Sequence, residues 1–369
     1  MTIVMISSYA PSLLNFRKEL IQMFVNKGHD VLLLAPDFNA DSRKLLNKLG
    51  ARTLDIELKR SGTNLIQEIK SFISIYYAIK STDPDIVFSY TIKPVIYGSI
   101  AAYLAKVPKI FSLITGLGHS FVSKSPKAKV LNKLVRFLYG ISLSRNHAVL
   151  FQNKDDCQLF LDLKILSKNT TTKVVNGSGV NVDYYYNAPL PDHPVFLLIA
   201  RLIKEKGIRE YALAAGRLNI KYPDTKFNLI GWFDDHPASF TSEEIGNISI
   251  SSGINFLGAM KDVRKNIIDA SIYVLPSYRE GTPRSVLEAM SMGRPIITTD
   301  VAGCRETVVN EYNGFLVDPY DSFSLEIAME KLILDSKLRS IMGKRSREIA
   351  IEKYEVDKVN ISISKIIGL

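Results

Sequence analysis

The sequence has few cysteines and no long apolar run. Cys157 and Cys304 are the only cysteines in 369 residues, and neither stands in a CxxC or Cys/His spacing. This excludes a disulfide framework and favours a reducing compartment. No stretch of about 18 consecutive apolar residues occurs, so a membrane-spanning helix is not expected. The opening run, MTIVMISSYAPSLL, has no basic segment before it, which predicts a buried strand rather than a signal peptide, and a cytoplasmic protein.

Acidic residues are also scarce in the first half of the chain, which carries the whole positive excess. Residues 1–190 hold 24 Lys and Arg against 13 Asp and Glu, a balance of +11. Residues 191–369 hold 23 against 24, a balance of −1, which together give the net charge of +10. No nucleic-acid-binding motif accompanies the charge, so nucleic acid is not an expected partner.

One stretch, residues 121–150, contains no acid at all and places apolar residues at helical spacing among basic ones. Its basic residues are Lys124, Lys127, Lys129, Lys133, Arg136 and Arg145. Such a segment is typical of a helix on an anionic membrane surface or beside a phosphorylated ligand. The alternative is a helix that packs its apolar face and solvates its basic one.

Short apolar runs alternate with longer amphipathic segments throughout the chain. TIVMIS, a helix near 15–27, DVLLLAP and a helix near 41–49 begin the series. The alternation restarts at VFLLIAR, after the Pro-rich segment NAPLPDHP. We therefore expect an α/β protein with two doubly wound, Rossmann-like parallel-sheet domains and a ligand cleft between them. The predicted domains are 1–187 and 188–353. A helical segment, 354–369, follows and is expected to pack back on the N-terminal domain, with packing on the second domain as the alternative.

The stretch REGTPRSVLEAM, residues 279–290, places two carboxylates around a turn that precedes a helix. Thr282 and Pro283 predict an N-cap and a first-turn residue, and Gly281 allows close approach of a ligand. The helix N-terminus would offer free N–H groups to a diphosphate, with Glu280 before it and Glu288 two turns inside. The alternative is a capped helix with solvated charges.

Two further loops at predicted strand ends carry candidate residues. IARLIKEKG places Arg201 and Lys206 in a strand-to-helix loop, where a guanidinium and an ammonium suit a diphosphate. TGLGHSF contains Thr115, Gly116 and His119 but lacks the third glycine of a dinucleotide fingerprint. The acidic turn DPD leads directly into a buried strand, so no metal site is predicted there.

These segments resemble retaining glycosyltransferases of family 4, which have the GT-B fold. EGTPRSVLEAMSMGRPIITTD resembles the E-x7-E signature of that family, and ARLIKEKG resembles its Arg/Lys diphosphate motif. SYAPSLLNFR and TGLGHSF resemble the subgroup that builds capsule, O-antigen and related lipid-linked glycans. The resemblance covers essentially the whole chain.

The resemblance implies a role for each candidate residue. Arg201 and Lys206 would neutralise the donor diphosphate, Glu280 would contact the donor sugar, and Glu288 would hold the ribose. The further implied donor contacts are Gly281, Thr282, Pro283, Thr115 and Gly116. The implied acceptor contacts are Asn15, Arg17 and His119. Many family members have a His-Gly pair where this chain has Thr115-Gly116, so the role of the histidine is open between Thr115 and His119.

The expected reaction is transfer of a sugar from a UDP-sugar to an undecaprenyl-diphosphate-linked saccharide, with retention of configuration. An N-acetylhexosamine such as GalNAc, or galactose, is the expected sugar. No cofactor or metal is expected, because fixed cations and helix N–H groups can stabilise the leaving diphosphate. The alternatives are a nucleotide-sugar epimerase of the same architecture and a non-catalytic nucleotide-sugar-binding protein.

Overall fold

The computed structural model describes residues 1–59, 64–117 and 126–369, without the side chains of residues 126–129. The chain divides into two compact units, Met1–Ser178 with Asp357–Leu369, and Gly179–Val356. Each unit is built around one parallel sheet with helices on its faces, as the alternation of apolar runs and amphipathic segments predicts.

The first unit has a seven-stranded parallel sheet in the order β3-β2-β1-β4-β5-β6-β7. Its strands are β1 (Thr2–Ile6), β2 (Asp30–Ala35), β3 (Arg52–Asp55), β4 (Ile86–Tyr90), β5 (Lys109–Ile114), β6 (Ala148–Phe151) and β7 (Thr172–Val174). Its helices are α1 (Ala10–Asn26), α2 (Ala40–Lys48), α3 (Leu65–Thr82), α4 (Ile92–Leu104), α5 (Pro126–Leu143) and α6 (Lys154–Asp162), joined by the final helix α13 (Val356–Ile367).

Alternate side chains of the central strand β1 serve the two faces of this sheet. Ile3 and Met5 pack in the cluster that contains α1, α2 and α13, whereas Val4 and Ile6 pack in the cluster that contains α3 and α4. Both faces are buried at the inner strands, which is why β1, β2, β4, β5 and β6 have near-continuous apolar sequences, whereas the edge strands β3 and β7 are more polar and exposed.

The second unit has a six-stranded parallel sheet in the order β10-β9-β8-β11-β12-β13. Its strands are β8 (Val195–Arg201), β9 (Lys226–Trp232), β10 (Asn255–Phe256), β11 (Ile272–Leu275), β12 (Ile296–Thr299) and β13 (Gly314–Val317). Its helices are α7 (Ile208–Lys221), α8 (Ser242–Ser252), α9 (Arg264–Ile268), α10 (Arg284–Ser291), α11 (Ser322–Leu334) and α12 (Ser336–Lys353).

The structure places the boundary between the units at 178/179, not at the predicted 187/188. The segment 179–187 belongs to the second unit because its backbone is bonded there. The Val180 N–H donates to the Tyr354 carbonyl at 2.7 Å, and the Tyr185 carbonyl accepts from the Ser291 hydroxyl at 2.7 Å. The Pro-rich composition near residue 190 therefore marks a loop inside the second unit.

Two other element boundaries differ from the prediction. Helix α1 begins at Ala10 rather than near residue 15, because Pro11 lies in its first turn, where a missing N–H costs nothing. Pro283, not Thr282, occupies the N-cap of α10, and it makes no side-chain capping bond. Thr282 therefore lies in the turn that precedes the cap.

The final helix α13 completes the core of the first unit. Its Val359, Ile363 and Ile367 are buried in the same cluster as α1, and the Lys27 ammonium donates to the Ser364 hydroxyl at 2.9 Å. The C-terminal segment thus returns to the sheet formed by the first residues of the chain.

Ile363→Ala should lower the free energy of unfolding by about 2–4 kcal/mol, because truncating a buried isoleucine removes apolar contacts and leaves a cavity. Ile361→Ala is the matched control, since Ile361 lies on the same helix and is 45% exposed. Thermal and urea denaturation of both variants measure the difference. Equal stability of the two variants would contradict the packing of α13 described above.

Candidate active site

Arg201 and Lys206 lie at the carboxyl end of β8. Arg201 is the last residue of the strand, and Lys206 ends a single 3₁₀ turn, Lys204–Lys206. Gly207 follows with φ +69°, and a Cβ there would lie 2.0 Å from the Pro276 carbonyl oxygen. Only glycine allows this approach, which brings the loop after β8 against the loop after β11.

The loop after β11 presents Glu280 to Lys206. The Lys206 ammonium forms an ion pair with the Glu280 carboxylate, and both side chains are at least four-fifths buried. The Glu280 N–H donates to the Ala302 carbonyl at 3.0 Å, and a Cβ at Gly303 would lie 2.3 Å from the Glu280 carbonyl oxygen. The structure therefore brings together Lys206, Glu280 and Gly281, because β8 and β11 are neighbours in the sheet and their loops leave its carboxyl edge side by side.

Arg201 is paired with a residue that the sequence did not single out. Its Nη1 donates to the Asp234 carboxylate at 2.8 Å. Asp234 follows β9, whose last residue, Trp232, stands in register with Arg201. Both predicted diphosphate-binding cations are thus partly neutralised by carboxylates of neighbouring loops.

Glu288 lies in α10, the helix that follows the turn containing Glu280. The Arg284 Nε donates to its carboxylate at 3.1 Å, and the Tyr185 hydroxyl also hydrogen-bonds to it. Burial raises the pKa of Glu288, and the Arg284 charge and the Tyr185 bond oppose that rise only in part. The carboxylate is held on two sides by fixed donors.

Tyr185 is a site residue that sequence reasoning missed. Its carbonyl is fixed by the Ser291 hydroxyl and by the Arg347 guanidinium, so its ring is anchored beside α10. The segment VDYYY carries no signal for this role except its tyrosines, because the contact joins residues about 100 positions apart.

The other predicted residues lie in the first unit. Thr115 and Gly116 directly follow β5, and Gly116 has φ +141°. Asn15 is exposed on α1, whereas Arg17 is 2% exposed, with its guanidinium carbon 5.3 Å from the centre of the Tyr90 ring. His119 lies outside the described residues.

The acidic turn DPD has a structural explanation. Asp83 adopts the left-handed conformation that ends α3, and the Asp85 carboxylate accepts from the Thr2 N–H at 2.7 Å. Among the residues that the structure describes, no group of three or more His, Cys, Asp or Glu side chains is placed to hold a metal ion. No described helix is long and apolar enough to cross a bilayer.

Two family models match this chain. Glycosyl transferases group 1 matches residues 187–349, and glycosyl transferase 4-like matches residues 10–153. Among curated proteins, the N,N'-diacetylbacillosaminyl-diphospho-undecaprenol alpha-1,3-N-acetylgalactosaminyltransferase of Campylobacter jejuni is 27% identical and covers 96% of this chain and 95% of its own length. The UDP-Gal:alpha-D-GlcNAc-diphosphoundecaprenol alpha-1,3-galactosyltransferase of Escherichia coli is also 27% identical, over 80% of this chain and 78% of its own.

Solved structures share the fold over nearly the full length. Sucrose-phosphate synthase from Thermosynechococcus elongatus has a TM-score of 0.81 at 16% identity and covers 99% of this chain and 98% of its own. Anabaena HepE in complex with UDP and glucose has a TM-score of 0.78 at 16% identity, with both chains fully covered. These neighbours show that the chain has the GT-B fold. The two family models, one matched within each half of the chain, support a glycosyltransferase of the family 4 type.

Glu288→Gln should change how stability depends on pH. Because the native pKa of Glu288 is raised, ionisation costs native stability, and this cost appears as the pH rises from the ordinary glutamate pKa through the native value. The melting temperature of Glu288→Gln relative to wild type should therefore increase from acidic to neutral pH. Calorimetry across this range, with exposed Glu348→Gln as control, measures the trend. A difference independent of pH would contradict it.

Proposed function

We propose that the chain is a retaining hexosyl- or N-acetylhexosaminyltransferase. It takes N-acetylgalactosamine or a related N-acetylhexosamine, or galactose, from a UDP-sugar and transfers it to an undecaprenyl-diphosphate-linked saccharide. The product would belong to O-antigen, lipopolysaccharide, capsule or a related surface glycan. The names of the Campylobacter and Escherichia relatives support the kinds of donor and acceptor. The juxtaposition of Lys206, Glu280 and the start of α10 carries the proposal.

The proposed reaction develops negative charge on the donor diphosphate. The bond between the sugar C1 and the diphosphate oxygen breaks, a bond from C1 to the acceptor oxygen forms, and the acceptor proton leaves with the nucleoside diphosphate. Arg201 and Lys206 would balance the growing charge in place of a metal ion. The N–H groups of the first turn of α10 would add to this balance.

The carboxylates would orient the donor. Glu280, held by Lys206, would bind hydroxyls of the donor sugar, and Glu288, held by Arg284 and Tyr185, would bind the ribose hydroxyls. An ionised carboxylate with fixed donors on one side can accept two hydroxyl protons on the other. In the first unit, Thr115, Gly116, Asn15 and Arg17 would serve the donor sugar and the acceptor.

The direct test is a panel of UDP- and GDP-sugars with a lipid-diphosphate-linked saccharide. Nucleotide release and product mass identify the donor, and NMR of the new linkage gives its anomeric configuration. Transfer with retention supports the proposal. Sugar epimerisation without transfer, binding without turnover, or an inverted product would each overturn it.

Arg201→Ala and Lys206→Ala should each lower kcat by about 100-fold or more, because each removes a cation that stabilises the leaving group. Acceptor binding should be unchanged. Lys204→Ala is the matched control, since Lys204 is exposed in the same 3₁₀ turn. Steady-state kinetics measure all three variants. Wild-type turnover in Arg201→Ala or Lys206→Ala would overturn the assigned roles.

We also propose that the protein works at the cytoplasmic face of the inner membrane, in contact with anionic lipid. Large apolar side chains lie exposed along one face of α5, at intervals of three or four residues. They are Val130, Leu134, Phe137 and Ile141, which are between 41% and 73% exposed. A second exposed row lies on α3 and comprises Leu65, Ile66, Ile69, Ile73 and Tyr77.

Both helices pack against α4, so these rows belong to the same side of the first sheet; we call them the α3–α5 face. Helices α4 and α5 contain no acidic residue, and the single acid of α3, Glu68, pairs with Lys93 at 2.6 Å. Apolar rows with basic neighbours suit an anionic bilayer. A second copy of the same basic face would be repelled.

Leu134→Ser with Phe137→Ser should weaken binding to phosphatidylglycerol-containing vesicles by about tenfold or more, because two exposed apolar side chains no longer enter the interface. Ile220→Ser with Ile250→Ser, at 87% and 85% exposed positions of the second unit, is the control. Vesicle co-sedimentation measures both. Equal binding by the two double variants would contradict the assignment of this face.

A further inference from the structure

The Arg201–Asp234 pair suggests a role that the transfer reaction itself does not require. The two side chains are 31% and 18% exposed, so the ion pair is only partly screened by water. The loop that carries Asp234 is fixed to the loop after β8. The Leu202 N–H donates to the Trp232 carbonyl at 3.0 Å, and the Lys204 N–H donates to the Ala238 carbonyl at 3.0 Å. Asp234 is thus held beside Arg201 by backbone bonds.

Each of the two predicted diphosphate-binding cations already has a carboxylate partner before any ligand binds. Arg201 and Lys206 supply two positive charges, and their partners Asp234 and Glu280 supply two negative ones. A diphosphate would bring further negative charge into this balanced group. Glu280 has a use in the proposed reaction, as a ligand of the donor sugar. Asp234 has none, although its carboxylate opposes the charge of the diphosphate.

Arg201 can contact a phosphate while Asp234 stays in place. Only its Nη1 bonds to a protein group among the described residues, and a guanidinium has five N–H donors. The carboxylate would therefore remain close to the bound diphosphate and reduce its attraction to Arg201.

We propose that Asp234 is a counter-ion that weakens binding of the diphosphate and so speeds release of the nucleoside diphosphate product. This inference rests on the proposed function, because it assumes that Arg201 meets the donor diphosphate. A tight product complex would slow each turnover, and a fixed carboxylate beside the diphosphate prevents it.

Asp234→Asn should lower the Kd for UDP and for inorganic pyrophosphate by about fivefold, since it removes one partly screened like charge. Added UDP should inhibit the variant at correspondingly lower concentration. Asp235→Asn is the matched control, because Asp235 is the exposed neighbour and makes no ion pair among the described residues. Asp235→Asn should change either Kd by less than about twofold. Isothermal titration calorimetry measures the binding of both ligands.

Asp234→Ser removes the same charge with a different side chain and must tighten binding in the same way. Weaker binding in Asp234→Asn would show that Asp234 positions Arg201, and would overturn the inference. Equal effects of Asp234→Asn and Asp235→Asn would also overturn the inference, because the change in Kd would then not depend on whether the carboxylate contacts Arg201. If wild type binds neither UDP nor pyrophosphate, the proposed function fails and this inference falls with it. If wild type binds them and Asp234→Asn changes nothing, this inference alone fails.

Discussion

The candidate site of the second unit depends on close contact between backbones at the carboxyl ends of the strands. Gly207 lies against the Pro276 carbonyl, and Gly303 lies against the carbonyl of Glu280. Any side chain at either glycine would separate the loops. Because the loops approach this closely, Lys206 reaches Glu280, and the turn before α10 lies against the loop after β8. The absence of a side chain at these two glycines therefore allows the Lys206–Glu280 ion pair to form.

Buried charged groups of this unit have fixed hydrogen-bond partners, and several of these contacts join different segments. Glu288 meets Arg284 and Tyr185, and Arg347 ties the backbone of Tyr185 to Ser291. A buried charge without a partner lowers the stability of the folded state. These contacts therefore favour one arrangement of the segments that supply the partners. A site of this kind is preorganised, since its donors and carboxylates already have partners and need little reorientation to meet a ligand.

Much of this arrangement could be predicted from the sequence, and the exceptions have one physical origin. Strands buried on both faces appear as continuous apolar runs, so the two parallel sheets were predictable. Strand-end positions also assigned Lys206 and Glu280 to one predicted site, although not to a direct ion pair. The partners Asp234 and Tyr185 were not predictable, because they are set by contacts between distant segments. The same is true of segment 179–187, whose polar, turn-rich composition resembles a linker although its hydrogen bonds tie it to the second unit.

The return of α13 to the first sheet has a consequence for synthesis on the ribosome. The second unit is one continuous segment, Gly179–Val356, and can complete its contacts as soon as it has emerged. The first unit, although its sheet is translated first, lacks Val359, Ile363 and Ile367 until residues 357–369 have also been translated. The order in which the two cores are completed is therefore the reverse of the order in which their sheets are made, and the nascent first sheet leaves part of one apolar face uncovered while the second unit is being synthesised.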